Sequence, residues 1–118
     1  MRVLVCGGRD NEDSDVIWST LDKVHDKYGD SLTIIHGACE TGADFIAEVW
    51  CKSRGVDYVA YPAKWKKQGR PAGPIRNKRM RDELKPDACV AFKGEYGTKG
   101  MIELMREVGI EPWLVGWD

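Results

Sequence analysis

No run of apolar residues in the 118-residue chain approaches the roughly 18 to 20 that a bilayer-crossing helix needs. The amino terminus passes from Met1-Arg2 straight into a short strand-like run, with no signal-peptide core. A cytoplasmic protein without membrane attachment is expected. Paired cysteines are missing too: Cys6, Cys39, Cys51 and Cys89 lie far apart with no C-x-x-C spacing, and there are only two histidines. That argues against a disulfide framework or a zinc site, and two of the thiols fall in strand-like runs where they behave as small apolar groups. Neither a metal nor a cofactor is expected. The length leaves little room for a second domain, whereas one domain over 1–118 can bury a real core.

What is present is a net charge of −1 that hides an asymmetry. Between Tyr61 and Arg81 stand Lys64, Lys66, Lys67, Arg70, Arg76, Lys78, Arg79 and Arg81 with no acid among them. Around the first helical pattern Asp10, Glu12, Asp13, Asp15, Asp22, Asp26 and Asp30 face only Lys23 and Lys27. The basic side should attract anions, unless it is simply a solvated face.

Five short apolar runs alternate with four helical patterns. Strands are expected near Arg2-Cys6, Leu32-His36, Val56-Ala60, Ala88-Phe92 and Glu111-Val115, and helices near Asp13-Tyr28, Thr41-Arg54, Ala72-Leu84 and Thr98-Val108. Strands separated by single helices read as repeated βαβ units, because only a crossover helix returns the chain for parallel pairing. The expected fold is an α/β, Rossmann-like three-layer sandwich with a mainly parallel five-stranded sheet. Right-handed crossovers give a strand order such as 3-2-1-4-5, with a ligand crevice where the winding reverses between the first and fourth strands.

Two glycine turns would fall at that crevice. Gly7-Gly8-Arg9-Asp10 follows the first strand, and Phe92-Lys93-Gly94-Glu95-Tyr96-Gly97-Thr98 follows the fourth. Such turns let backbone approach a phosphate, while the amides and dipole of the next helix supply positive potential; they also exist merely to turn the chain tightly. The second strand runs into Gly37-Ala38-Cys39-Glu40-Thr41-Gly42-Ala43-Asp44. Thr41 and Asp44 have the spacing of a helix-capping pair, or else Gly42 and its neighbours form a ligand-facing edge with Asp44 open to a sugar hydroxyl. His36 reads first as a buried, hydrogen-bonded side chain and second as a catalytic one. The segment Tyr61–Pro74, with three prolines and two glycines, reads largely as a loop. In it Trp65 could stack on a base or pin the loop to the core. Arg76 and Asn77 stand near a helix start, with Arg76 directed at the crevice and Lys78, Arg79 and Arg81 at solvent.

These motifs carry a resemblance. Gly7-Gly8-Arg9-Asp10, His36-Gly37-Ala38 with Gly42-Ala43-Asp44, Tyr61-Pro62-Ala63-x-Trp65, Gly69, Ala72-Gly73 with Arg76-Asn77 and Met80, and Ala91-Phe92 with Gly97-Thr98 resemble the YspA-like branch of the SLOG superfamily. That superfamily includes the LOG-type phosphoribohydrolases and the nucleotide-binding domain of DprA-like proteins. The resemblance implies a Rossmann-like domain that binds a nucleotide or nucleotide-derived molecule, often as sensor or processor. Where fuller relatives carry Pro-Gly-Gly-x-Gly-Thr, Lys93 replaces the proline and Glu95 the second glycine. LOG enzymes also use a glutamate three residues after that threonine, and here the position is Met101. Glu103 stands two residues on, roughly 200° around a helix, and cannot substitute.

The leading expectation is binding or sensing of a nucleotide-like phosphorylated ligand by Gly7, Gly8, Arg9, Gly37, Gly42, Asp44, Trp65, Arg76, Asn77, Gly94, Gly97 and Thr98. A second is a nucleotide N-glycosidase with Arg76 stabilising charge and Asp44 or Glu95 as the carboxylate. A third, ranked lower, is single-stranded nucleic-acid binding through the basic segment 64–81. Trp113 and Trp117 suit either a homo-oligomer contact or a cover over the sheet edge.

Overall fold

The structure is a computed structural model, and it describes residues 1–117. In chain order the elements are β1 (Arg2–Cys6), α1 (Ser14–Tyr28), β2 (Thr33–His36), α2 (Gly42–Arg54), β3 (Asp57–Ala60), α3 (Trp65–Gln68), α4 (Ala72–Leu84), β4 (Ala88–Phe92), α5 (Tyr96–Glu107) and β5 (Trp113–Val115), with a 3₁₀ turn at Gly29–Ser31. The five strands form one all-parallel sheet in the order β3-β2-β1-β4-β5. This is the α/β Rossmann-like sandwich, and its centre is β1, whose Val3 lies opposite Ile34 on one side and Ala88 on the other.

Alternation along the strands sorts the core into two layers. Val3, Val5, Ile34, Val90 and Phe92 face Ile17, Leu21 and Val24 of α1 and Ile46, Ala47 and Trp50 of α2. Leu4, Ile35 and Cys89 face Met80 of α4 with Met101 and Met105 of α5. The helices form where apolar residues recur at three- and four-residue intervals, and each is stopped locally. Asp13 opens α1 by accepting from Val16 N at 3.3 Å, and α2 ends on Gly55 at φ 69°, the left-handed closure glycine tolerates.

Boundaries depart from expectation mainly at helix starts and at edge strands. Thr41 stands before α2 with no side-chain cap; its hydroxyl instead donates to Arg9 O at 3.0 Å. The loop after β3 contains the short helix α3, which Pro62, Gly69 and Pro71 had made invisible in the sequence pattern. β5 is three residues long, because its first expected residues, Glu111 and Pro112, precede the pairing with β4. Beyond β5 the Trp117 indole donates to Ala91 O of β4 at 2.9 Å, whereas Trp113 stays 45 % exposed. Among the described residues no helix is long and apolar enough to cross a membrane.

Candidate functional site

At the carboxyl ends of β1 and β4 the two glycine turns touch. Gly8 N donates to Lys93 O at 3.0 Å, and Asn11 Nδ2 donates to the same oxygen at 3.2 Å. Gly8 O in turn accepts from Asn11 N and from Ala43 N of α2, both at 3.2 Å. The packing leaves no room for side chains: a Cβ on Gly94 would lie 2.6 Å from Gly8 N and overlap Thr98 Oγ1, and one on Gly7 would lie 2.5 Å from Ala43 Cβ. Part of the glycine content of both turns thus has a purely steric cause. Gly97 differs, since a Cβ there would meet nothing within 4 Å, and the residue is exposed at the start of α5.

Above this junction opens a crevice of about 1200 Å³. Of the residues expected from the sequence, it is lined by Gly7, Gly8, Arg9, Gly37, Asp44, Trp65, Arg76, Asn77, Gly94, Glu95, Gly97 and Thr98. Gly42 does not line it. That glycine, at φ 74°, lies against the backbone of Gly8 and Arg9 and supports the β1 turn from below. The crevice is also lined by residues not expected, among them Asp10, Asn11, Glu12, Asp13, Cys39, Arg70, Lys93 and Tyr96. The basic stretch and the acidic stretch therefore meet at one site, with Arg9, Arg70, Arg76 and Lys93 beside Asp10, Glu12, Asp13 and Glu95. Their proximity in sequence to the two turns was the available signal.

Asp44 is 6 % exposed, and its Oδ2 accepts from Gly37 N at 3.2 Å and Cys39 N at 3.4 Å. It holds the loop after β2 rather than forming a capping box with Thr41. His36, 1 % exposed, works on the same loop: its Nδ1 accepts from Ala38 N at 3.0 Å, and Ala38 has a left-handed φ of 58°. With Nδ1 accepting, a neutral ring carries its proton on Nε2, which lies 3.1 Å from Glu48 Oε1 but out of line for a good hydrogen bond. The histidine is a buried, bonded side chain outside the crevice lining.

Arg76 is half-buried and largely committed to the protein. Its Nε donates to Asn77 Oδ1 at 2.8 Å, and its Nη1 donates to Gly37 O and, at 3.4 Å, to Tyr61 O. A Cβ on Gly37 would fall 2.5 Å from that Nη1, so glycine there makes space for the guanidinium. Nη2 makes no protein hydrogen bond among the described residues. Asn77, 6 % exposed, donates to Gly97 O at 3.3 Å and links α4 to the β4 turn. Trp65 is both anchor and lining: the Arg9 guanidinium sits 5.0 Å from its ring centroid, and a Cβ on Gly73 would come within 3.1 Å of the ring.

The thiols of the site are poor nucleophiles. Burial and then the charge of Asp44 push the Cys39 thiol above its usual range, while a hydrogen bond with Cys89, followed by burial, holds Cys6 well above its own. Met101 is 1 % exposed in the lower core layer, and Glu103 is exposed and paired with Arg106 at 3.3 Å. Among the described residues no three or more His, Cys, Asp and Glu side chains cluster as metal ligands.

The model of the YspA, cpYpsA-related SLOG family matches residues 1–68, more than half of the chain. The chain belongs to that family. The matched segment holds the β1 turn, the Asp44 loop and Trp65, whereas Arg76, Asn77 and the β4 turn reach this SLOG crevice from beyond it. SLOG membership suggests a nucleotide-related ligand or glycosidase-like chemistry. No curated protein matches the chain.

Proposed function

We propose that this SLOG chain, working as one cytoplasmic domain, binds or senses a nucleotide or nucleotide-derived phosphorylated ligand across the ends of β1 and β4. The observation that carries the reading is the crevice of about 1200 Å³ that opens where the two glycine turns meet, at the point at which the sheet reverses its winding. Free amides at the start of α5, with Arg9 and Nη2 of Arg76, would take the phosphate. Exposed Tyr96 and half-exposed Trp65 offer flat surfaces for a base. Asp44, bound to two amides, would act by holding the loop rather than by meeting a sugar hydroxyl.

Two rival readings weaken on specific grounds. The LOG-type reaction has a thioether where its carboxylate belongs, and a thioether can neither exchange a proton nor stabilise an oxocarbenium-like centre. The nucleic-acid reading keeps Lys64, Lys66, Lys67, Arg70 and Lys78, which make no ion pair among the described residues, but loses Arg79 to Glu83 at 2.6 Å and Arg81 to Asp82 and Glu107 at 2.8 and 3.0 Å.

Thermal melting against nucleosides and their mono- and diphosphates tests the proposal. Phosphorylated ligands should raise the melting temperature and bare nucleosides should not, since only preferential binding to the folded state stabilises it. Equal effects would remove phosphate recognition. Chromatography of the same mixtures should show no released base, and release lost on Glu95→Gln would restore the glycosidase reading.

A further inference from the structure

The strand order leaves the edge strand β5 thinly covered on the upper face of the sheet, where Trp113 is 45 % exposed. α2 packs on β1, β2 and β3, and α1 lies beside α2 above the centre of the sheet. Val90 and Phe92 of β4 are buried in this layer, but no further element covers β5 on that side, among the described residues, because the two remaining crossovers run beneath the sheet. The result is a second groove of about 630 Å³ between α1 and β5. Its apolar lining includes Tyr28, Val90 and the half-exposed Trp113.

Its two walls carry opposite charge. Lys23 and Lys27 line the α1 side, and Asp87 and Glu111 line the side of β4 and β5. Neither lysine has an ion-pair partner among the described residues. The acids are already held in place, Glu111 by Arg106 at 2.7 Å and Asp87 by the Arg2 amide at 2.8 Å, and each retains acceptor capacity.

We propose that this groove is the contact face for a second copy of the chain, related by a two-fold axis running along the groove. Such an axis lays the lysine wall of one copy on the acid wall of the other, twice over, as an isologous contact requires. An in-plane axis across the groove would set lysine against lysine, so the charge pattern selects one arrangement. Trp113 and Tyr28 supply the apolar centre that charge pairs alone would lack.

Sedimentation velocity of the full chain over a concentration series is the test. A monomer–dimer equilibrium is expected in the micromolar range, weakening with salt. Lys23→Glu/Lys27→Glu and Asp87→Lys/Glu111→Lys should each weaken association at least about tenfold. An equimolar mixture of these two variants should associate again, because both contacts in the mixed pair are attractive. A mere folding defect would give no such recovery, and circular dichroism melts would confirm that each variant folds. A wild-type chain that stays monomeric at the highest soluble concentration, a dimer indifferent to both variants, or a mixture that fails to recover would overturn the proposal.

Discussion

Replacing Gly42 by alanine tests the packing on which the crevice rests. The residue has φ 74°, and left-handed backbone costs a residue with a Cβ about 1 to 2 kcal/mol. The added Cβ would overlap Gly8 O and lie 2.6 Å from Arg9 O and 2.7 Å from Arg9 C. These are backbone atoms and cannot swing aside, so a further 1 to 3 kcal/mol, roughly, is expected from overpacking. Gly55 supplies the control: at φ 69° with nothing within 4 Å of its Cβ position, Gly55→Ala bears only the first cost. Urea denaturation at matched slopes should place Gly42→Ala about 1 to 3 kcal/mol below Gly55→Ala, with a melting temperature lower by several degrees. Nucleotide affinity should fall with it, since the displaced atoms belong to the β1 turn, whereas Gly55→Ala should bind normally. Equal loss of stability in the two variants would refute the claim that α2 props up this turn.

Arg76→Ala should weaken nucleotide binding and reduce stability by about 1.5 to 3 kcal/mol, because it frees Gly37 O and Tyr61 O as well as removing Nη2, while Arg79→Ala should change neither appreciably; calorimetry and urea melts measure the two effects. Bonds from Arg54 and then Trp50 hold the Asp22 carboxyl below its ordinary value, so its stabilising contribution is complete above the unfolded value of about 3.9 and is lost as pH falls through the lower folded value. Asp22→Asn should therefore flatten part of the acid limb of stability against pH, and an unchanged limb would dismiss this pair as a contributor. Cys39, half-buried in the crevice, should be alkylated faster than Cys51, whose burial pushes its thiol up to about 12; mass spectrometry should also show bound nucleotide slowing the Cys39 reaction several-fold.

Local pattern alone determined the βαβ alternation, the parallel sheet and the places where glycine turns follow strands. Periods of two and 3.6 residues and the stop signals of helices act over a few neighbours, so they survive reading one residue at a time. The direction of Arg76 towards the crevice and the burial of His36 were also readable, from their places at an element's start and end. The partners were not. Arg76 reaches Gly37 across 39 positions, Gly8 meets Lys93 across 85, and Thr41 bonds Arg9 across 32. Thr41 and Asp44 matched a capping pair in spacing, yet distant Arg9 O took the Thr41 hydroxyl and the amides of Gly37 and Cys39 in the adjoining loop took the Asp44 carboxylate. The meeting of acidic residues with Arg70 and Arg76 at the crevice and the paired walls of the second groove likewise arise only when crossovers stack segments far apart in sequence. Close packing of those segments decides which polar groups are left free, and that depends on the whole sheet order rather than on any one stretch.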